Sequence, residues 1–164
     1  MKDKNHLPMY GSGPFYVATT AIITVVGIIL DLLGYLNSGK FEFLQIPFIV
    51  IGCILIIYGV ILWILAVVVS KIDKAIYENK LVTDGIYSYV RNPIYSAFLI
   101  LFTGICFIFN NLYLLILPLI FYIFLTILMI FTEEKWLKAK YGDEYLTYCK
   151  RTNRCIPFFP RKDK

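Results

Sequence analysis

The residues best suited to chemistry form two polar groups, each at the edge of an apolar stretch. Arg91 and Asn92 precede Pro93, and Glu133 and Glu134 follow the last long apolar stretch. Asn92 is a favourable N-cap and Pro93 suits the first helical position, so we expect a helix to begin here. The unpaired N–H groups of a helix start, with the fixed charge of Arg91, suit a carboxylate or phosphate. Arg91 and Asn92 therefore form a candidate anion site; a purely structural cap or a lipid-headgroup contact is the alternative.

The acidic pair stands where the last apolar stretch leaves the expected membrane. We expect Glu133 and Glu134 at the C-terminal end of that helix, where the helix dipole favours cations rather than acids. A cation-binding role would explain this placement. In the alternative interpretation, Glu134 pairs with Lys138 and Glu133 is solvated. An anion site beside a cation site would suit a zwitterionic group, either an amino-acid head or a phospholipid headgroup.

The sequence lacks the residues of several common active sites. His6 is the sole histidine, so we expect neither a histidine base, nor a Ser-His-Asp triad, nor a His-rich metal site. The sequence contains no GxGxxG or Walker-type phosphate loop. The cysteines show no CxxC spacing, and we expect reduced thiols that bind no metal. They are Cys53, Cys106, Cys149 and Cys155.

Four apolar stretches must position these groups. Of the 164 residues, 59% are hydrophobic and 16% charged, against roughly 45–50% and about 25% in a typical soluble domain. The predicted spans are residues 15–33, 46–69, 94–109 and 112–131. Three approach or exceed the roughly 20 residues that a bilayer requires, and the third is short. We therefore predict an all-α membrane protein of four or five transmembrane helices, with residues 1–164 forming a single integral membrane domain.

The third and fourth spans should form a helical hairpin. Only Asn110 and Asn111 connect them, so the two helices are expected to pack antiparallel. The far ends of the hairpin then meet at one membrane face, which brings Arg91 close to the acidic pair. Residues 132–164 follow as an amphipathic cytoplasmic tail at the interface, with aromatic residues at helical spacings. Gly142 should interrupt any helix in this tail.

The basic residues predict the orientation. With both termini in the cytoplasm, every Lys and Arg except Lys40 lies on the cytoplasmic side, as the positive-inside rule requires. The net charge of +5 then suits an anionic membrane leaflet better than nucleic acid. The small size and the lack of a cleavable targeting segment favour a multi-pass protein of a prokaryotic plasma membrane.

Around the two polar groups, the chain resembles the isoprenylcysteine carboxyl methyltransferase and phospholipid methyltransferase family of integral membrane methyltransferases. The resemblance covers about half of the chain, from Leu81 to the tail. The matching residues run from Gly85 to Tyr95 and then include Glu133, Glu134, Leu137, Tyr141, Gly142, Glu144, Tyr145, Tyr148, Arg154, Ile156 and Pro157. The family usually has Arg-His-Pro where this chain has Arg91, Asn92 and Pro93. Asparagine keeps the hydrogen bonding of that histidine but cannot carry its charge or move a proton.

The resemblance implies S-adenosylmethionine as cofactor, bound between the last two helices and the tail. It implies a lipidic or membrane-embedded methyl acceptor, such as an isoprenylcysteine-type carboxylate or a similar small or lipid molecule, that enters from the bilayer. By matched position, the cofactor-binding residues would be Tyr87, Arg91, Asn92, Tyr95, Glu133 and Glu134. The catalytic residues would be Arg91, Glu134 and Arg154, with no metal. A carboxylate acceptor would need no base, whereas a protonated amine must first lose a proton.

Two other functions stay open at the level of sequence. The first is an NADPH-dependent membrane reductase, because sterol reductases look similar around an Arg-x-Pro-x-Tyr segment and the basic tail could hold the extra phosphate. The second is a non-enzymatic small membrane subunit that contacts lipids. Glu133 and Glu134 favour the methyltransferase, since an acidic pair suits a sulfonium and ammonium ligand and repels a polyphosphate.

Overall fold

The computed structural model describes residues 11–70 and 72–160, and this part of the chain is helical without a β-strand. The all-α prediction is confirmed. The α-helices are α1 (Gly13–Leu32), α2 (Gln45–Ile64), α3 (Ile72–Tyr77), α4 (Pro93–Ile108), α5 (Leu112–Phe131) and α6 (Glu133–Arg151). A π-helix, Leu65–Val69, continues α2, and short 3-10 helices occupy Asn37–Gly39, Glu42–Leu44 and Gly85–Ser88. His6 and the basic residues Lys2 and Lys4 lie outside the described residues.

Among the described residues, three helices are long and apolar enough to cross a membrane. They are α1, α2 with its π-helical continuation, and α5. Helix α4 has 16 residues, which rise about 24 Å, less than the roughly 30 Å of a hydrocarbon core. Every predicted span boundary lies within two residues of an observed helix boundary. Crossing of the membrane by α4 and the orientation of the chain stay predictions.

Glycines allow α2 and α4 to pack at close range. A Cβ atom at Gly52 would lie 2.6 Å from the Gly104 carbonyl oxygen, and one at Gly104 would lie 2.7 Å from the Gly52 oxygen. Gly59 approaches Ala97 in the same way, so the two helices run antiparallel. Small residues permit such close approach between apolar helices in membranes. Helix α4 packs more extensively on α2 than on its predicted hairpin partner α5.

An aromatic core joins α1 to the hairpin. Tyr16 is fully buried, and its ring meets that of Tyr95 edge-on, with 6.0 Å between centroids. On its other side, the Tyr16 ring lies 5.7 Å from that of Phe124 in α5. Cys155 of the tail is buried in the same cluster. The tail is therefore packed against the helices that it follows.

The end of the helical bundle that lies opposite Arg91 and Glu134 contains a buried carboxylate. Asp31 is 3% exposed and accepts a hydrogen bond from Asn111 Nδ2 at 2.7 Å. Lys40 Nζ lies 3.5 Å from the same carboxylate. The Asn111 side chain also caps α5, since its Oδ1 accepts from the Tyr113 N–H at 3.0 Å. We call Asp31, Lys40 and Asn111 the Asp31 network.

The acidic pair does not end the last span, contrary to the sequence expectation. Helix α5 ends at Phe131, and Thr132 is non-helical, with φ −116° and ψ −87°. Glu133 and Glu134 form the first turn of α6, where the positive end of the helix dipole favours acidic side chains. Their placement is therefore locally favourable. The predicted interruption at Gly142 is confirmed, because this residue has φ 53° and ψ −125° inside α6.

Candidate active site

The tail holds the segment before α4 in place through backbone hydrogen bonds. The Arg91 N–H donates to Asn153 O at 2.8 Å, and the Asn92 N–H donates to Arg154 O at 3.2 Å. Further along, the Phe158 N–H donates to Tyr89 O at 3.1 Å. Val90 and Asn153 also form an isolated parallel bridge, so the residues around Arg91 and Arg154 lie side by side.

Asn92 occupies the cap position but does not cap α4 with its side chain. Its backbone oxygen accepts from the Ser96 N–H at 3.0 Å and from Ser96 Oγ at 2.9 Å. The side chain turns to the tail instead, where Nδ2 donates to Arg154 O at 3.0 Å. The expected side-chain cap is wrong, because the amide is used to fix the tail against the start of α4.

Arg91, Glu134 and Arg154 form one ion-paired cluster, which we call the arginine cluster. Glu134 Oε1 lies 3.2 Å from Arg91 Nη2 and 2.5 Å from Arg154 Nε, and its Oε2 accepts from Arg154 Nη2 at 3.1 Å. The hydrogen bond that Arg154 donates to Glu134 raises the pKa of the Arg154 guanidinium above its usual value. Glu134 therefore binds two arginines, whereas the alternative interpretation paired it with Lys138. The expected meeting of the two hairpin ends is confirmed.

A cavity of about 400 Å³ lies beside this cluster. Its volume falls in the range of small-molecule sites, roughly 300–1,000 Å³. The side chain of Arg91 is 9% exposed, and its Nε has no hydrogen-bond partner in the part of the chain that the structure describes. The lining residues are Arg91, Tyr122, Cys149, Thr152, Asn153, Arg154, Cys155 and Ile156. Since a buried N–H group without a partner is costly, Arg91 keeps unused hydrogen-bonding capacity beside the cavity.

The charge of the cavity is positive. Its described lining includes two arginines and no acidic residue. Burial raises the pKa of the Cys155 thiol to about 12, although Arg154 opposes the shift, so this thiol is neutral at physiological pH. Burial and the charge of Glu134 both raise the pKa of Tyr145, which lies beside the arginine cluster. Arg91 Nη1 also contacts the Cys149 sulfur.

Glu133 belongs to a second cluster, formed with Ser12, Tyr95 and Thr132, which we call the Ser12 cluster. Glu133 Oε1 accepts from the Ser12 N–H at 3.1 Å, from Ser12 Oγ at 3.2 Å and from the Tyr95 hydroxyl. Ser12 Oγ lies 3.3 Å from Thr132 Oγ1. Glu133 is thus held by hydroxyl and amide donors, whereas Glu134 is held by guanidinium groups.

The structure separates the candidate residues that the sequence grouped together. Arg91, Glu134 and Arg154 share one cluster, Tyr95 and Glu133 share another, and Asn92 fixes the tail. The Tyr87 hydroxyl lies 3.5 Å from Ala66 O, and the Tyr87 carbonyl accepts from the Tyr148 hydroxyl at 2.6 Å. Their roles in binding or catalysis stay predictions.

Sequence reasoning missed Ser12 and Cys149. Ser12 contacts Glu133 across 121 residues, and its one sequence signal was its place just before a Gly-Pro helix start. Cys149 occurs in the amphipathic tail helix, and nothing in its sequence neighbourhood indicated a contact with Arg91.

The fold and this site define an α-helical membrane protein with an arginine-rich cavity at one end of its helices. Residues 47–144 match the model of the phospholipid methyltransferase family, which is more than half of the chain. The chain therefore belongs to the phospholipid methyltransferase family. The matched region contains Arg91, Glu133 and Glu134 but ends before Arg154.

A relative with a described activity is similar over part of this chain. The "Protein-S-isoprenylcysteine O-methyltransferase" of Schizosaccharomyces pombe (strain 972) is 38% identical over 95 residues. These residues make up 57% of this chain and 39% of the relative, so the chain matches well under half of the relative's length. No solved structure matches this chain.

Proposed function

We propose that this protein transfers methyl groups from S-adenosylmethionine to a lipidic or membrane-embedded acceptor at the cytoplasmic face of the membrane. The observation that carries the proposal is the buried guanidinium group of Arg91, whose Nε has no partner among the described residues. It lines a cavity beside α5, a helix long enough to span a membrane. Membership of the phospholipid methyltransferase family and the name of the similar yeast protein support methyl transfer as the reaction class.

The two clusters suit the zwitterionic end of S-adenosylmethionine. Arg91 and Arg154 would hold its carboxylate by charge-assisted hydrogen bonds. Glu133 would hold its cationic part, because its described donors leave the carboxylate charge uncompensated. Glu134 would orient the two arginines, since guanidinium groups engage both of its oxygens. We thus assign different roles to the adjacent glutamates.

When bound, S-adenosylmethionine supplies an activated methyl group on a sulfonium centre. The protein contributes alignment of the reactants and a cavity with few competing nucleophiles. Cys155 lines this cavity, and its raised pKa of about 12 keeps the thiol protonated. A neutral, buried thiol is a weak nucleophile, so Cys155 competes little with the acceptor.

A carboxylate acceptor, such as that of an isoprenylated cysteine, suits the cavity best. None of its described lining residues is a histidine, aspartate or glutamate that could deprotonate an amine. A carboxylate is already ionised at neutral pH and needs no base. Tyr122 of α5 and Ile156, which is 54% exposed, give the cavity an apolar edge suited to a lipid chain.

The test is a methyl-transfer assay with the purified full-length protein in lipid nanodiscs and S-adenosylmethionine carrying a labelled methyl group. The acceptors are a farnesylated cysteine with a free carboxylate, its amide, and phosphatidylethanolamine. We expect label only in the free carboxylate, as a base-labile ester. Label in phosphatidylethanolamine would overturn the carboxylate acceptor. In a parallel reaction with NADPH in place of S-adenosylmethionine, oxidation of NADPH by a membrane lipid would overturn the reaction class.

A further inference from the structure

The first helix contacts the site, although the family match does not include it. That match begins at residue 47, beyond the end of α1 at Leu32. The start of α1 nevertheless reaches Glu133 and Tyr95 through Ser12. These contacts join the N-terminal part of the described chain to the first turn of α6.

The chain approaches Glu133 so closely that residue 11 must lack a side chain. A Cβ atom at Gly11 would overlap Glu133 Oε1 and would lie 3.3 Å from the Tyr95 hydroxyl. Gly11 also has φ +49°, in the left-handed region that glycine adopts at little cost. Gly13 differs, because a Cβ atom there would make an ordinary contact, 3.4 Å from the Tyr95 hydroxyl.

The position of Ser12 is fixed from within the membrane-spanning bundle. One turn further along α1, the Tyr16 ring packs between those of Tyr95 and Phe124. The Tyr16 N–H donates to Ser12 O at 3.1 Å. Because the aromatic core holds this turn, the Ser12 donors meet Glu133 in a fixed place.

The nature of the donors matters for a site that binds a cation. Hydrogen bonds from neutral donors fix the position of a carboxylate without adding positive charge. At Glu134, two guanidinium groups largely offset the carboxylate charge. Of the two glutamates, Glu133 therefore keeps the negative charge that a cationic ligand group requires.

We propose that Gly11 and Ser12 are positioning residues of the methyl-donor site, which makes α1 a functional part of that site. They act through Glu133: Ser12 supplies two donors to its carboxylate, and Gly11 leaves the space that the carboxylate occupies. The inference rests on the proposed function, because it takes S-adenosylmethionine as the ligand.

The test is isothermal titration calorimetry of the full-length protein in detergent with S-adenosylmethionine, with a thermal melt for each variant. Ser12→Ala removes the hydroxyl donor and should weaken binding about tenfold, the order expected for one hydrogen bond to a charged group. Ser12→Thr restores the hydroxyl and should bind within about threefold of wild type. Gly11→Ala displaces the carboxylate and should weaken binding at least as much as Ser12→Ala.

Gly13→Ala is the matched control, since it changes a neighbouring glycine without displacing Glu133, and it should bind as wild type does. Wild-type affinity in both Ser12→Ala and Gly11→Ala would overturn the inference. A loss of affinity in Ser12→Ala that Ser12→Thr fails to restore would also overturn the inference, because the hydroxyl would then not be the cause.

The variant Glu133→Gln distinguishes this inference from the proposed function. If it alone loses affinity, the donor site stands without α1; if wild-type protein does not bind S-adenosylmethionine, the proposed function itself fails.

Discussion

Each end of the helical bundle contains a carboxylate with cationic or amide partners, buried in the case of Asp31 and partly buried in the case of Glu134. In the Asp31 network, the carboxylate is held by Asn111 at 2.7 Å and by Lys40 at 3.5 Å, and it ties the end of α1 to the start of α5. At the other end, Glu134 is shared between Arg91 and Arg154 beside a cavity of about 400 Å³.

The comparison shows how to distinguish a structural polar cluster from a binding site. At the Asp31 network, the side chain of Asn111 bonds Asp31, caps α5 and donates to Leu36 O at 2.8 Å, so its hydrogen-bonding capacity is used inside the protein. In the arginine cluster, Arg91 lines a cavity, and its buried Nε has no partner among the described residues. Substitutions in the Asp31 network should therefore change stability, and substitutions in the arginine cluster should change ligand binding.

The largest expected effect is on binding. Arg91→Leu removes the donor that borders the cavity and leaves Glu134 with one arginine, so affinity for S-adenosylmethionine should fall at least about 100-fold, since breaking a buried charged interaction costs about 3 kcal/mol or more. Arg91→Lys keeps the charge but loses the planar guanidinium group, so its affinity for S-adenosylmethionine should lie between those of Arg91→Leu and wild type. Calorimetry measures both. Affinity within threefold of wild type for Arg91→Leu would contradict the assignment of the cavity.

The next effect should be on stability alone. Asp31→Asn removes a buried charge that Asn111 and Lys40 compensate, and it should lower the free energy of unfolding by about 2 kcal/mol. Asp143→Asn, at an exposed position of α6, is the control and should change stability by less than about 0.5 kcal/mol. Equilibrium unfolding in mixed detergent gives the free energy, and calorimetry should show unchanged donor affinity in both variants. A matching loss of affinity in Asp31→Asn would remove the distinction between the two ends.

A smaller effect on binding is expected from Glu134→Gln. The amide can still accept a hydrogen bond, but it loses the charge that holds the two arginines, so donor affinity should fall about tenfold, an effect of about 1.4 kcal/mol. The protein should stay folded, as judged by its melting transition. Unchanged affinity in calorimetry would show that Glu134 does not organise the site.

The smallest effect concerns Cys155. Because burial raises its pKa to about 12 from an ordinary value of 9.0, the folded protein binds this proton more tightly than the unfolded chain does. Its contribution to stability is therefore present below pH 9 and is lost as the pH rises towards 12. At pH 8, iodoacetamide should label Cys155 far more slowly in the folded protein than in denaturant, as measured by mass spectrometry of the digested chain. Equal rates would contradict the buried, neutral thiol.

The sequence predicted the boundaries of the long apolar helices well because their signal is local. The length of each apolar run set the helix boundaries, and the two-residue connection at Asn110 and Asn111 predicted the hairpin. The break at Thr132 was missed, although a threonine followed by two glutamates is typical of a helix start. The continuous apolar run before it favoured a helix that ended with the acidic pair.

The candidate site was only partly predictable, because sequence patterns report local structure and the site also depends on contacts between distant segments. Arg91 and Glu134 were expected to meet because the hairpin topology brings their elements together. The Ser12 contact with Glu133, the close α2–α4 packing and the turn of the Asn92 amide to the tail depend on tertiary contacts between distant segments. Residue type and spacing carry no signal for such pairings, which come from the packing of the whole bundle.

The most direct test of the central claim, a methyl-donor site at the arginine cluster, is isothermal titration calorimetry of the wild-type protein in detergent. The ligands are S-adenosylmethionine, S-adenosylhomocysteine and NADPH, titrated in parallel. We expect one site per chain for each of the two adenosyl ligands and no binding of NADPH, whose phosphates Glu133 would repel. Binding of NADPH alone, or of none of the three ligands, would contradict the account.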